Sequence, residues 1–300
     1  MKELLAIEKE QFQIDKGSWE IVRFGDVAIQ QKKSVNREKT NLSKYVKGEH
    51  MYSEDLHLRE WGELTDEYLG PAFIRYFEKG DILYGSRRTY LRKVVIAPFE
   101  GITSNTTFVI KANEKKIDSR LLPFVMMSEG FTENSIRNSK GSVNPYINWK
   151  DIANYEFLLP PKAQQAQLAE LLWAMDEVIE KEKGMLEKQK QLKKSLMRAF
   201  FMKGIGHTEF KDSILGRLPI NWEVANFESI VADMKSGLSR RIVAEDIGVP
   251  VLISGNIQDD KLDISELKYW YRDDPQGANV SNYILKEGDI LLCFINSLVC

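Results

Sequence analysis

The chain has little of what catalysis or covalent bracing requires. Its 300 residues include two cysteines, Cys293 and Cys300, and three histidines. Without a CxxC spacing or clustered histidines, neither a disulfide framework nor a zinc site is expected. No apolar run approaches about 18 residues, so no membrane span is expected. The opening MKELLAIEKEQFQ mixes charge with leucine and lacks the apolar centre of a signal peptide, which points to the cytoplasm. There is no GxxxxGK[ST] loop for a nucleoside triphosphate and no glycine-rich turn for S-adenosylmethionine. Neither a Ser/His/Asp set nor a nuclease-like carboxylate cluster stands out. An excess of one charge is missing too: 42 Lys and Arg face 44 Asp and Glu, for a net charge of -2. Any contact with a polyanion must therefore come from local patches.

What is present is organised around residues 158–203. Pro160 and Pro161 stop an extended segment and can start a helix. About 42 residues without proline follow, with apolar side chains mostly three and four apart, the period of one helical face. At 1.5 Å per residue this helix reaches roughly 60 Å, far beyond an ordinary helix. Its apolar face thins after Ile179 to Met185 and Leu186, and Gly184 costs about 1 kcal/mol relative to alanine. The charged pairs between Glu180 and Lys183 read as solvated i,i+4 pairs. Alone in water such a helix is marginal, so a partner helix or docked protein is expected. The competing reading is a surface helix packed on its own domain.

The flanks repeat each other. GSWEIVRFGDVAI, from Gly17, matches INWEVANFESIVA, from Ile220; Glu78-Lys79-Gly80-Asp81-Ile82-Leu83 matches Lys286-Glu287-Gly288-Asp289-Ile290-Leu291. Both matches lie about 205 residues apart and in the same order, the mark of a duplicated domain. In the first copy, Ile82-Leu83-Tyr84, Val94-Val95-Ile96 and Thr107-Phe108-Val109-Ile110 read as strands bounded by turn residues. Residues 121–127 and 131–137 read as helices, and residues 155–159 as a last strand. The second copy has a strand at residues 249–253 and an apolar, strand-like run at residues 291–295. A full second copy would extend about 100 residues further, so a truncated second domain without its own long helix is expected.

Domain, long helix opened by two prolines, then the domain again: this order resembles the specificity subunit (HsdS) of type I restriction-modification systems. Leu159-Pro160-Pro161 leading into Gln165, Leu168, Ala169, Leu172 and Asp176 is similar to that family's spacer-helix start. Leu215-Gly216-Arg217-Leu218-Pro219 with Trp222-Glu223 is similar to the start of its second target-recognition domain. Gly80-Asp81-Ile82-Leu83, Tyr90-Leu91-Arg92-Lys93 and Ser254-Gly255-Asn256-Ile257 resemble its recognition-domain segments. Gln164 departs from the family's usual Glu. The expected fold class is α+β. An α/β target-recognition domain spans residues 1–159, a long spacer helix of coiled-coil type residues 160–203, and an incomplete second recognition domain residues 204–300.

The resemblance implies a non-catalytic subunit that reads a split target in double-stranded DNA. It implies modification (methyltransferase) subunits and restriction subunits as partners. S-adenosylmethionine, ATP and Mg would act in those partners and not in this chain. A second copy of the chain, paired through the long helix, is a further expected partner, with Leu168, Leu172, Met175, Ile179, Leu192 and Leu196 on the joining face. The alternative function is helix-mediated oligomerisation without DNA specificity, which salt dependence would separate.

Candidate DNA contacts follow from charge and chemistry. Arg87, Arg88, Tyr90, Arg92 and Lys93 place four cations and an aromatic directly after a strand. Arginine can bond guanine bidentately and lysine can hold phosphate. Lys140, Ser142, Asn144 and Tyr146 form a second group in a small-residue loop, where Asn144 could read an adenine. Val143-Asn144-Pro145-Tyr146 lacks the second proline of an adenine-methyltransferase loop, so it reads as a turn. In the second copy the candidates are Lys235, Ser239, Arg240 and Arg241. Lys32, Lys33, Arg37, Lys39, Lys44 and Lys47 form another basic segment, read as a solvated face.

Overall fold

The computed structural model describes residues 16–36, 39–65, 69–258 and 261–293. Of the sequence discussed above, the opening residues 1–13, Arg37, residues 294 and 295 and Cys300 lie outside these. The chain divides into two compact units, with the sequence boundary in the long helix between Leu196 and Met197.

The first unit is built on strands buried on both faces. Strands β2 (Ala28–Gln31), β9 (Thr107–Ala112), β6 (Ile82–Gly85) and β7 (Val94–Ile96) pair antiparallel in the order β2-β9-β6-β7. Successive side chains alternate between two cores. Ile82, Tyr84, Val94 and Ile110 enter one core, while Leu83, Val95 and Val109 enter the other. This explains the unbroken apolar runs in these strands, since a half-exposed strand would alternate with polar residues.

The first core is closed by a short helical turn, α1 (Phe24–Val27), and by helices α2 (Leu122–Met127), α3 (Glu129–Arg137) and α4 (Trp149–Ala153). Phe131 is its aromatic centre, with ring centroids 4.9 Å from Phe24, 5.7 Å from Tyr84 and 5.5 Å from Tyr155. The second core lies against a second sheet, β4-β3-β8-β5, in which β3 (Lys44–Val46) and β8 (Gly101–Ser104) run parallel. β4 (Gly62–Glu63) and β5 (Phe73–Phe77) are its edges. The unit is thus a helical layer, a sheet and a second sheet, within the α+β class.

β1 (Glu20–Arg23) pairs antiparallel with β10 (Glu156–Leu159), Glu20 facing Leu159 and Arg23 facing Glu156. Two prolines follow β10, and the long helix α5 (Lys162–Lys203, 42 residues) begins. The helix, its proline start and the expected strands of the first copy form where the sequence places them.

In the second unit β11 (Phe210–Ser213) and β12 (Gly216–Pro219) make a hairpin. A helical turn, α6 (Phe227–Ile230), follows. β13 (Gly248–Val251) pairs with β16 (Lys268–Tyr271), and β14 (Ile257–Gln258) with β15 (Lys261–Leu262). The sequence repeat recurs as local geometry. Trp19 and Trp222 each donate their amide to a carbonyl three residues back, at 3.0 Å. Each is followed by a one-turn helix, α1 or α6. In the two Gly-Asp turns, the Asp81 carboxylate accepts from the Glu78 amide and Asp289 from Lys286, both at 2.8 Å. Gly80 and Gly288 sit at φ 89° and 92°, where a side chain would strain the backbone. The strand expected over residues 291–295 does not form at Leu291, Leu292 and Cys293, and residues 294 and 295 lie outside the described residues.

Candidate nucleic-acid interface

β6 and β7 form a hairpin whose connection is residues 86–93. Its backbone turns through one 3-10 turn, Thr89–Leu91, with Arg88 and Arg92 on either side in the left-handed region, φ 50° and 48°. The second sequence candidate, residues 139–147, joins α3 to α4. Lys140 and Tyr146 exchange backbone bonds of 2.8 and 2.9 Å and so close a small loop. Gly141 turns it at φ 95°.

These two segments are one structure. Arg87 bridges to Tyr146 in antiparallel fashion. The Arg88 amide donates to the Pro145 carbonyl at 2.7 Å, and the Ile147 amide to the Ser86 carbonyl at 2.9 Å. The Thr89 and Ser139 hydroxyls lie 3.1 Å apart, and Arg88 Nε donates to Asn144 Oδ1 at 2.9 Å. Buried Ile147 pins the loop to the first core. On the outside stand Arg87, Arg88, Lys140, Ser142 and Asn144, with Tyr90, Val143 and Tyr146 exposed among them. Cations interleaved with apolar and aromatic groups on a rigid hairpin can meet phosphates and base edges together.

The four cations of the hairpin differ. Arg92 pairs with Glu54 at 3.1 Å. Lys93 Nζ donates to the Gly48 carbonyl at 2.6 Å, and burial pushes its ammonium down from the usual lysine range. Arg87 and Arg88 have no ion pair among the described residues. Of the basic segment, Lys33 lies over the Tyr76 ring and Lys44 over the rings of Trp61 and Phe99.

In the second unit Lys235 pairs with Asp233 at 2.8 Å. Arg240 Nη2 binds Asp274 at 2.8 Å, and the Asp274 side chain is wholly buried, also accepting from the Trp270 indole and the amides of Gln276 and Ala278. Arg240, with these amides assisting, holds the Asp274 carboxyl far below the usual range. The guanidinium expected at DNA is thus engaged internally, and Ser239 and Arg241 remain exposed beside it.

The long helix departs from its expected role at its start. Gln165 is buried; its carbonyl accepts from the Asp118 amide at 2.7 Å and its amide donates to the Pro160 and Lys116 carbonyls. Ala169 is fully buried, and Leu168 and Leu172 pack on the first core. Leu168 and Leu172 therefore face their own domain, a correction to the joining face. Gln164 accepts from the Trp19 indole at 3.0 Å. Met175, Ile179, Leu192 and Leu196 are exposed.

One turn further on, His57 Nε2 meets Asp176 at 2.7 Å and Arg59 Nη2 meets both oxygens of Glu180 at 2.7 Å. Arg59 Nε also binds Asp55 at 2.6 Å, and Lys183 reaches Glu180 at 3.1 Å. Glu180 is therefore part of a clasp on the domain and not a solvated helix pair. Burial works against ionising Asp55, but Arg59, the His57 amide and Lys183 outweigh it and hold the carboxyl below its usual range. Arg59, assisted by Lys183, likewise lowers Glu180. Asp55, His57 and Glu180 bring ligand-type atoms within 4.8 Å of one another, but Arg59 and Lys183 already neutralise the carboxylates. No local pattern announces this clasp, whose partners lie 119 and 121 residues apart.

The model of the type I restriction modification DNA specificity domain matches residues 16–191, a span that contains the hairpin, the loop and the clasp. The chain belongs to this family. Within it, the chain is similar to the type I restriction enzyme MjaVIII specificity subunit of Methanocaldococcus jannaschii, at 28% identity over 234 residues, 73% of this chain and 50% of that one. It is also similar to the EcoDI specificity subunit of Escherichia coli, at 34% identity over 109 residues, 35% of this chain and 24% of that one. The chain thus spans half or less of the length of these relatives. The fold is shared with the HsdS subunit from Thermoanaerobacter tengcongensis (TM-score 0.50, 18% identity, covering 67% of this chain and 53% of that one). It is shared too with a chain solved in work on assembly and conformational transition of the type I R-M system (TM-score 0.52, 21% identity, covering 81% and 63%). The specificity domain of this chain carries the exposed hairpin-and-loop surface on a two-core scaffold. No described helix is long and apolar enough to cross a membrane.

Proposed function

We propose that the chain is a non-catalytic DNA-reading subunit of a type I restriction-modification complex in the cytoplasm, and that residues 86–93 and 139–147 of its first unit enter the major groove. The observation that carries this reading is the Arg87–Tyr146 bridge. It joins the basic hairpin connection to the loop that carries Lys140, remote in sequence, as one exposed surface. In the second unit, Ser239, Arg241 and Lys235 are the corresponding candidates. Modification subunits carrying S-adenosylmethionine and restriction subunits using ATP and Mg supply the chemistry.

The long helix supplies the docking surface. Along the helix, alongside and beyond the clasp, an exposed apolar stripe runs through Leu171, Met175, Val178, Met185, Leu192 and Leu196, spaced by three, four and seven residues. This stripe fits a partner helix, whether from a second copy of the chain or from a modification subunit.

The test is DNA binding by the chain reconstituted with its modification subunits, over a salt series. Sequence-selective binding that weakens steeply with salt is expected. Equal affinity for all duplexes, or affinity indifferent to salt, would favour a protein-interaction module. Replacing Arg87 and Arg88 together by alanine is expected to lower specific affinity by about ten- to hundredfold.

A further inference from the structure

The hairpin surface contains two exposed arginines side by side, and only one is oriented. We propose that Arg88, buttressed by Asn144, reads a guanine in the half-site contacted by the first unit, while Arg87 holds backbone phosphate. This rests on the DNA-reading function proposed above.

The cations sort by their partners. Arg92 already pairs with Glu54 and Lys93 with the Gly48 carbonyl, so each would give up a contact to reach a base edge. Arg87 and Arg88 remain. Arg87 is held through its backbone bridge to Tyr146, and no described side chain orients its guanidinium. Such a cation suits phosphate, which accepts from many directions.

Arg88 is fixed at three points. Its backbone sits in the left-handed region at φ 50° and ψ 54°. Its amide donates to Pro145 at 2.7 Å and its Nε to Asn144 Oδ1 at 2.9 Å. An exposed arginine loses much rotamer freedom on binding, and an orienting contact made beforehand reduces that loss. Donation through Nε leaves both Nη groups as a planar fork of donors. The buttress is a neutral amide, so the full positive charge is kept for DNA.

A fork of donors selects among bases. Guanine offers two acceptors, N7 and O6, to the major groove. Adenine offers one acceptor beside an amino donor, thymine an acceptor beside a methyl, and cytosine an amino donor. Only guanine satisfies both Nη groups. The same contact changes the role of Asn144. Its Oδ1, which reading adenine would require, already accepts from Arg88, so Asn144 is a positioning residue.

The experiment selects from a randomised duplex pool with the full chain reconstituted with its modification subunits, comparing wild type with Arg88→Gly, Arg88→Lys, Asn144→Ala, Asn144→Asp and Arg87→Ala. Glycine suits the left-handed backbone, so Arg88→Gly removes the fork without straining the hairpin; an unchanged thermal melt checks this. Expected is one guanine position whose preference, about ten- to hundredfold in wild type, collapses in Arg88→Gly and Arg88→Lys. It weakens in Asn144→Ala and persists in Asn144→Asp, which keeps an acceptor. Arg87→Ala keeps the motif, binds all sites more weakly and lowers the salt slope by about one. The inference is overturned if every guanine preference survives Arg88→Gly, if the collapsed position is not guanine, if Asn144→Ala matches wild type, or if Arg87→Ala erases a base preference. A wild-type complex that selects no motif overturns the proposed function as well, and that outcome is distinct because no preference exists to be lost.

Discussion

From Gln165 to Lys183 the long helix lies on the first unit, while from Gly184 to Leu196 every side chain is exposed. The two stretches have similar helix-forming sequence, yet different things hold them. The anchored stretch has a buried amide with three hydrogen bonds, a buried alanine, packed leucines and an ionic clasp. Among the described residues, the free stretch has its own backbone bonds and i,i+3 pairs such as Lys190 with Glu187. A helix of the second kind is marginal in water. The difference teaches that this spacer is a bracket fixed at one end, whose other stretch is stable only as far as the anchored turns and a partner make it so.

The sharpest way to break the comparison is to put a charge under the anchor. Ala169→Glu buries an unpaired carboxylate at a fully buried site, and a loss of roughly 4 kcal/mol or more is expected in urea unfolding of the first unit. Leu192→Glu, the same change on the free stretch, is expected to shift stability by less than about 0.5 kcal/mol. Next in size is Gln165→Leu, which strands the Asp118 amide and the carbonyls of Pro160 and Lys116; a loss of about 1–3 kcal/mol is expected. Hydrogen exchange should show the same asymmetry in wild type, with slow amides over residues 169–183 and fast ones over 184–196.

The clasp gives a smaller effect. Arg59→Ala removes partly exposed ion pairs, so about 0.5–1 kcal/mol is expected. The pH dependence has a fixed sign. The carboxyls of Asp55 and Glu180 are held below their unfolded values, so their stabilisation is present above the ordinary carboxylate range. It is lost as pH falls through the lowered folded values. Acid titration followed by exchange at residues 176–183 should show that loss in wild type and not in Arg59→Ala. Smallest in the isolated chain is Leu192→Ala with Leu196→Ala, expected to change stability by less than about 0.5 kcal/mol while weakening association with a modification subunit or second copy.

Much of this scaffold is legible in the sequence. The double proline and the three-four spacing mark the long helix, and continuous runs such as Ile82-Leu83-Tyr84 mark strands covered on both faces. The two Gly-Asp turns could be matched because their geometry depends on four consecutive residues. The candidate site was legible only in pieces. Residues 87–93 stand out by charge and residues 140–146 as a small-residue loop with one lysine, but nothing local says that Arg87 bridges to Tyr146. Charge alone also made Arg240 resemble Arg88, although one is bound to a buried aspartate and the other leans on an exposed asparagine.

Local pattern was enough for the long helix, its starting point, the strands β6, β7, β9 and β10 and the repeated turns. Each depends on neighbours within a few residues, through backbone restriction and side-chain period. The packed fold settles which cations lack an ion pair among the described residues, which side of the helix is covered and that hairpin and loop form one surface. Those outcomes depend on contacts such as Arg88 with Asn144, 56 residues apart, and His57 with Asp176, 119 apart. Such pairs meet because two cores and a sheet bring them together, and no local pattern records that meeting.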